Sequence, residues 1–266
     1  MLNFVKEFVK KTWIILILLL VIIATILFAK YQLFKIRTFS VAVFSDIHMG
    51  ANVCNHKQCG EKIEPALREM LEKTSNMLLL SIGDNTDASE FSSDQERATV
   101  LREEYKKRLL EITKNREVLW ANGNHDRETY LSNQEYYSYD KNNWRFIIIH
   151  TIDVEGEQFK WLKNQLETEK NKIIIMHHPV FKQGKKEIIE RYDALVDLFR
   201  EKKVAYVLSG HWHDDHYERN MDGVIYKAIR GLTYNYQTNY DVLNLNYRLV
   251  DTWNLSPELR KFISYF

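Results

Sequence analysis

"TFSVAVFSDIHMG", residues 38–50, is the stretch on which the fold turns. Thr38–Phe44 is mostly apolar, with β-branched Thr38, Val41 and Val43, and reads as a short strand. The polar residues begin where the run stops. Asp46 and His48 are two apart, and in an extended segment such residues point to the same side. The pattern recurs along the chain. Met77–Ile82 leads into "GDNTD", with Asp84 and Asp87; Val118–Ala121 leads into "NGNHDRE", with Asn124, His125 and Asp126. Ile173–Met176 leads into "HHP", with His177 and His178. Val204–Leu208 leads into "SGHWH", where Gly210 permits a sharp turn and His211 and His213 again alternate. Five apolar runs thus deliver ligand-type residues past their carboxyl ends, where open α/β sheets place their sites.

Amphipathic, charge-rich stretches separate these runs and read as helices over Glu64–Lys73, Asp94–Lys114, Gln158–Glu169 and Lys185–Glu201. Phe146–His150 reads as a further strand. Strands alternating with helices predict an α/β sheet with helices on its faces. Val224–Ile229 and Asp241–Leu245, with no helix between them, read as strands pairing in a second sheet.

The ligand set limits the chemistry. Two Asp, an Asn and four His offer hard oxygens and imidazole nitrogens without a thiolate. That mix suits Mn, Fe or Zn and is too rich in nitrogen for a pure Mg or Ca site. Seven ligands exceed the needs of one tetrahedral ion; with a bridging carboxylate they suit two ions about 3.5–4 Å apart. Such a pair holds a water as hydroxide near neutral pH and clamps the oxygens of an in-line displacement at phosphorus.

"DIH", "GDNTD", "GNHD", "HHP" and "GHWH", in this order between Val41 and His213, resemble the motifs of the calcineurin-like metallophosphoesterase family. The resemblance implies an α/β fold in which two mixed sheets form a sandwich flanked by helices. It implies Asp46, His48 and His213 on one metal, Asn124, His177 and His211 on the other, and Asp84 bridging both. It also implies His125 as the acid facing the leaving group, oriented by Asp87. Of the two adjacent histidines it favours His177 as the ligand; His178 could touch substrate, as could Asn124, or simply pack. Asp126 and Asp87 also admit a simpler reading as turn caps, and the Glu96–Lys114 stretch reads as a surface helix.

The rest of the chain sets context. Its 266 residues are 45% hydrophobic and 27% charged, an ordinary globular composition. The simplest division is a membrane anchor with flanks over 1–35, a metallophosphoesterase domain over 36–255 and a C-terminal helix over 256–266. A formal net charge of +1 does not point to nucleic acid as a partner. Trp13–Ala29 holds no charge, and its 17 residues lie at the lower limit for a bilayer span. Trp13, Lys30 and Tyr31 suit the interfaces. The alternative is a cleaved signal peptide, against which Leu27 stands where a small residue is wanted. Flanking lysines and Arg37 nearly balance; the short basic N-terminus favours a signal anchor with the domain outside the cytoplasm, where Cys54 and Cys59 could pair. In "SPELRKFISYF", Ser256 and Pro257 suit a helix start, and Leu259, Phe262, Ile263 and Phe266 form one apolar stripe.

The expected function is hydrolysis of a phosphomonoester or phosphodiester on a small soluble or membrane-surface substrate. A nuclease of the same superfamily is the alternative, weakened by the lack of a dense basic stretch. A non-catalytic anchored scaffold is a further one, opposed by a competent residue at every motif position.

Overall fold

The structure is a computed structural model that describes residues 2–35, 37–50, 60–87, 94–126, 131–132, 134–151, 154–185, 187–214 and 216–247. Cys54, Cys59 and the 256–266 stripe lie outside the described residues, as does 88–93 of the loop after Asp87. The chain divides into two compact units, 39–245 and the terminal segments 1–38 with 246–266.

Among the described residues, ten strands form two sheets. One has the order β10-β1-β2-β3, from β1 (Arg37–Phe44), β2 (Leu78–Ser81), β3 (Val118–Trp120) and β10 (Asp241–Tyr247). The other has the order β4-β5-β6-β7-β9-β8, from β4 (Tyr137–Lys141), β5 (Trp144–Ile149), β6 (Asn171–Met176), β7 (Tyr206–Ser209), β8 (Tyr217–Met221) and β9 (Val224–Ala228). β1, β2 and β3 run parallel, as do β5, β6, β7 and β9, while β4 and β8 are antiparallel edges. Both sheets are therefore mixed or parallel, and helices cover them.

Alternation along the strands explains the layering. Val41, Val43, Leu78 and Leu80 face Phe146, Ile148, Ile173 and Ile175 in one buried cluster between the sheets. The opposite-facing Ala42, Phe44, Leu79 and Trp120 pack on α2 (Gly60–Lys73) and α3 (Gln95–Thr113) through Leu67, Met70 and Leu109. Ile147, Ile149, Ile174 and Met176 pack on α4 (Gly156–Leu166) and α5 (Asp193–Glu201) through Leu162, Leu195 and Phe199. A strand buried on both faces must be apolar throughout, which is why these runs stand out in the sequence.

Two readings of local structure need correction. The helix expected from Lys185 begins at Asp193, after a 3-10 turn at Glu190–Tyr192. The preceding residues fold back instead: Ile189 N–H donates to Val180 O and Lys182 N–H to Glu187 O. The runs at 224–229 and 241–245 do not share a second sheet; β9 joins β7 and β8 in one, and β10 lies beside β1 in the other. The edge strands β4 and β8 carry polar, half-exposed sequences such as "YERNM", and no apolar run announces them. Asp94 caps α3 by accepting from Arg97 N–H, and that charge-rich helix still buries one face through Ala98, Arg102 and Leu109.

The smaller unit contains α1 (Leu2–Phe34). Within Lys6–Gln32 its most apolar 18-residue window has a mean hydropathy of 3.0, and none of that window is buried. Among the described residues it is the one helix long and apolar enough to cross a membrane.

Candidate metal centre

The carboxyl ends of β1, β2, β3, β6 and β7 converge from both sheets on one cluster. Ligand atoms of Asp46, His48, Asp84 and His213 lie within 4.8 Å of one another, as do those of Asp84, His177 and His211. Asp84 belongs to both groups. Its Oδ2 is 3.0 Å from His177 Nε2 and 3.7 Å from His48 Nε2. On the first side, His213 Nε2 is 3.2 Å from Asp46 Oδ1 and 3.1 Å from His48 Nε2. On the second, the His177 and His211 rings are 5.2 Å apart.

The loops reach this geometry by an unusual backbone. Asp46 (φ 53°), His48 (φ 49°), Asp84 (φ 49°), His211 (φ 71°) and His213 (φ 31°) all occupy the left-handed region. Each such non-glycine residue costs on the order of 1–3 kcal/mol and persists where surrounding contacts hold it. The holding contacts are backbone hydrogen bonds between loops: Asp46 N–H to Gly83 O, His48 N–H to Asp84 O, Gly210 N–H to His177 O and Gly231 N–H to His213 O, all 2.9–3.0 Å. The alternating pairs thus meet through left-handed turns beyond the strand ends and not through the pleat of an extended segment, which corrects the sequence argument. Gly210 serves close approach and not a turn, since an added Cβ would lie 1.9 Å from Ser45 Oγ and 2.7 Å from Asp46 Oδ2.

Hydrogen bonds set the side-chain orientations. His177 Nδ1–H donates to Ile82 O at 2.8 Å, leaving Nε2 toward the cluster. That nitrogen is buried and has no aligned hydrogen-bond partner; the Oδ1 of Asn124 is likewise buried and unpartnered. A buried, unpartnered amide oxygen and a buried imidazole nitrogen beside the buried Asp46 and Asp84 carboxylates are what a site for cations requires. The donor set fits two metal ions. Asp46 accepts the His211 N–H on both oxygens, at 3.1 and 3.2 Å, and Asp84 Oδ1 accepts the His125 N–H at 2.8 Å.

His125 lies on the rim, with its Nδ1 3.2 Å from Asp87 Oδ1. The pairing expected between the two is present in the geometry. His178 is half-buried; its Nδ1 is 2.8 Å from Thr151 Oγ1 and its ring packs 4.4 Å from that of His211. Thr151, past the end of β5, was not singled out in the sequence, because one threonine after an apolar run carries no signal. Asp126 is fully buried and ties two loops together. It accepts from Asn85 N–H and Nδ2–H, Thr86 N–H and Gly123 N–H at 2.8–3.0 Å. Its role is wider than a local turn cap.

Charge states follow from these surroundings. Burial alone would lift the carboxyls of Asp46 and Asp84, but the facing histidines outweigh it and hold both below the usual range. Burial depresses His177, yet the Asp84 and Asp46 carboxylates raise it to about 9. Burial likewise lowers His125, and the hydrogen bond that its Nδ1–H donates to Asp87, with the charge of Asp84, reverses this to a net rise. His211 falls to about 4 and His178 to about 3, through burial and then the charge of His177. Asp126 is pushed up to about 6 by burial and by Asp84.

The model of the family described as calcineurin-like phosphoesterases matches residues 39–215. The chain belongs to that family. Solved structures agree on the fold at low identity. A dimetal phosphatase from Danio rerio aligns with a TM-score of 0.60 and 12% identity, over 80% of this chain and 99% of that one. A purple acid phosphatase from yellow lupin (Lupinus luteus) seeds aligns at 0.54 and 16%, over 79% and 49%. GAP50, the anchor in the inner membrane complex of Plasmodium, aligns at 0.51 and 14%, over 72% and 71%. No curated protein matches the sequence. In this calcineurin-like phosphoesterase, the five motifs lie within the matched span, and the Asp/His cluster they form is its dinuclear metal-binding site.

Proposed function

We propose that the chain is a membrane-anchored phosphoric ester hydrolase that cleaves a small phosphomonoester or phosphodiester, with His125 as general acid. The observation that carries the reading is the position of Asp84. One of its oxygens faces both His177 and His48, which supports a carboxylate that would be shared between two metal positions. We assign Asp46, His48 and His213 to the first ion and Asn124, His177 and His211 to the second, drawn from Mn, Fe or Zn. Such a pair supplies an activated water at neutral pH and offsets negative charge on the phosphoryl oxygens.

The chain's own residues do the rest. Buried carboxylates and Nε2-directed histidines bind cations in a fixed frame. His125, with its pKa raised and its Nδ1 held by Asp87, keeps a proton on Nε2 for the departing oxygen. Asn124 and His178 are assigned to contact the substrate, on their place beside the second metal position. The net charge of +1 supports a small substrate over a polyanion.

The anchor assignment rests on α1, whose uncharged stretch Trp13–Ala29 reaches about 26 Å at the helical rise, the lower limit for a bilayer span. Its short basic N-terminus supports a domain outside the cytoplasm. The test combines elemental analysis with turnover of a mono-aryl and a bis-aryl phosphate in the presence of Mn. About two metal ions per chain and hydrolysis of either ester is the expected result. Active protein with background metal alone would end the reading.

A further inference from the structure

Asp87 touches more than the acid. Its Oδ1 is 3.2 Å from His125 Nδ1, and its Oδ2 is 3.2 Å from Nδ1 of His48. The two rings stand edge to face, with centroids 4.7 Å apart and planes at 78°. Asp87 is buried, and its backbone is locked to the loop that carries His48: its N–H donates to Met49 O at 2.9 Å, and Met49 N–H donates to Asn85 O at 3.0 Å. The carboxylate thus sits where both imidazoles can donate to it, one to each oxygen.

We propose that Asp87 is a positioning residue for two histidines at once, joining the metal position of His48 to the orientation of the acid His125. The inference rests on the function proposed above and adds a specific link within that site. An ionised carboxylate is acceptor-only, so each facing Nδ1 must carry a hydrogen. For His48 this puts the lone pair on Nε2, the nitrogen that lies 3.1 Å from His213 Nε2 and 3.7 Å from Asp84 Oδ2. Without the acceptor, His48 is free to place its hydrogen on Nε2, and the metal-facing lone pair is lost. Outer partners of this kind typically carry about 10–100-fold in metal affinity. For His125 the same hydrogen bond fixes the ring so that Nε2 is the nitrogen that gives up a proton. An amide at this position has one acceptor oxygen, which cannot serve both rings.

The test is Zn²⁺ affinity of the full-length chain, stripped of metal and titrated against a chelating indicator. His125→Ala should bind Zn²⁺ like the native protein. Asp87→Ala/His125→Ala should bind about 10–100-fold more weakly, because His48 loses its acceptor even with the acid already gone. Asp87→Asn/His125→Ala should recover most of that loss, since the single amide oxygen then serves His48 alone. Equal affinities for His125→Ala and Asp87→Ala/His125→Ala would overturn the proposal, leaving Asp87 to His125 only. So would an Asn double variant as weak as the Ala one, since charge and not the acceptor would then be responsible. If the Ala double variant does not fold, Asp87→Leu/His125→Ala, which keeps the volume but offers no acceptor, takes its place and should bind more weakly than His125→Ala; equal binding overturns the proposal. A native chain that takes up no metal would instead refute the function on which the inference rests.

Discussion

Gly123→Ala exposes how closely the two halves of the metal centre approach. A Cβ on residue 123 would lie 2.1 Å from Asp84 Oδ1, 2.8 Å from its Cγ and 2.4 Å from its backbone N. Side-chain rotation can relieve the first two contacts; only movement of the chain relieves the third, by about 1 Å to reach ordinary van der Waals distance. Overpacking of this kind costs about 1–3 kcal/mol. Moving Asp84 Oδ1 also strands the His125 N–H, now bonded at 2.8 Å, for about 1–3 kcal/mol more. The sum, about 2–6 kcal/mol, corresponds to a fall in Tm of roughly 5–20 °C for a domain of this size. Because Asp84 faces both metal positions, both ions should be held more weakly. Scanning calorimetry of the metal-free chain and elemental analysis of the loaded one measure the two effects separately. A variant that melts like the native protein and keeps its full metal content would show that the Asp84 loop yields freely, and the claim that this glycine exists for close approach would fail.

Other expectations follow from the same geometry. Asp84→Asn removes the shared charge and should abolish turnover with loss of bound metal, read by elemental analysis beside the aryl phosphate assay; retained activity would refute the bridging role. His125→Ala should spare the metal and lower kcat by about 10²–10⁴-fold, least for good leaving groups; equal losses for aryl and alkyl phosphates would mean that His125 positions substrate. His177 is raised to about 9 without metal and must shed its Nε2 proton to bind one. Metal affinity should therefore climb by up to about tenfold per unit from pH 7 to 9 and then level off, as chelator competition would reveal; a flat profile refutes this. The full-length chain should stay with membranes through high-salt and alkaline washes, because burial of about 17 apolar side chains does not depend on charge. Release by either wash would exclude an integral anchor.

Much of the site was legible before any coordinates. Asp46, Asp84, Asn124, His177 and His211 announce themselves because each stands just beyond a strand buried on both faces, where a polar residue has no packing role. The two-sheet sandwich entered through the motif resemblance, and the apolar runs agree with it. The edge strands β4 and β8 were illegible for the converse reason, since solvent on one side removes the demand for a continuous apolar run. The segment 182–189 has helical composition, yet its backbone bonds back to Val180 and Glu187, a tertiary choice that overrides a weak local preference.

What the sequence determined by itself is the chemistry: which residue types gather, in what order, and that they suit two metals. The tertiary structure alone decided how they meet. Five residues of the cluster are held left-handed by hydrogen bonds from neighbouring loops, Asp126 ties two of those loops together, and Asp87 divides its oxygens between His48 and His125. None of these follows from local preference, which disfavours such backbone and cannot say which distant donor a carboxylate will find. They arise because strand ends from two packed sheets are brought within a few ångströms of one another, and burial there makes every unpaired polar group costly.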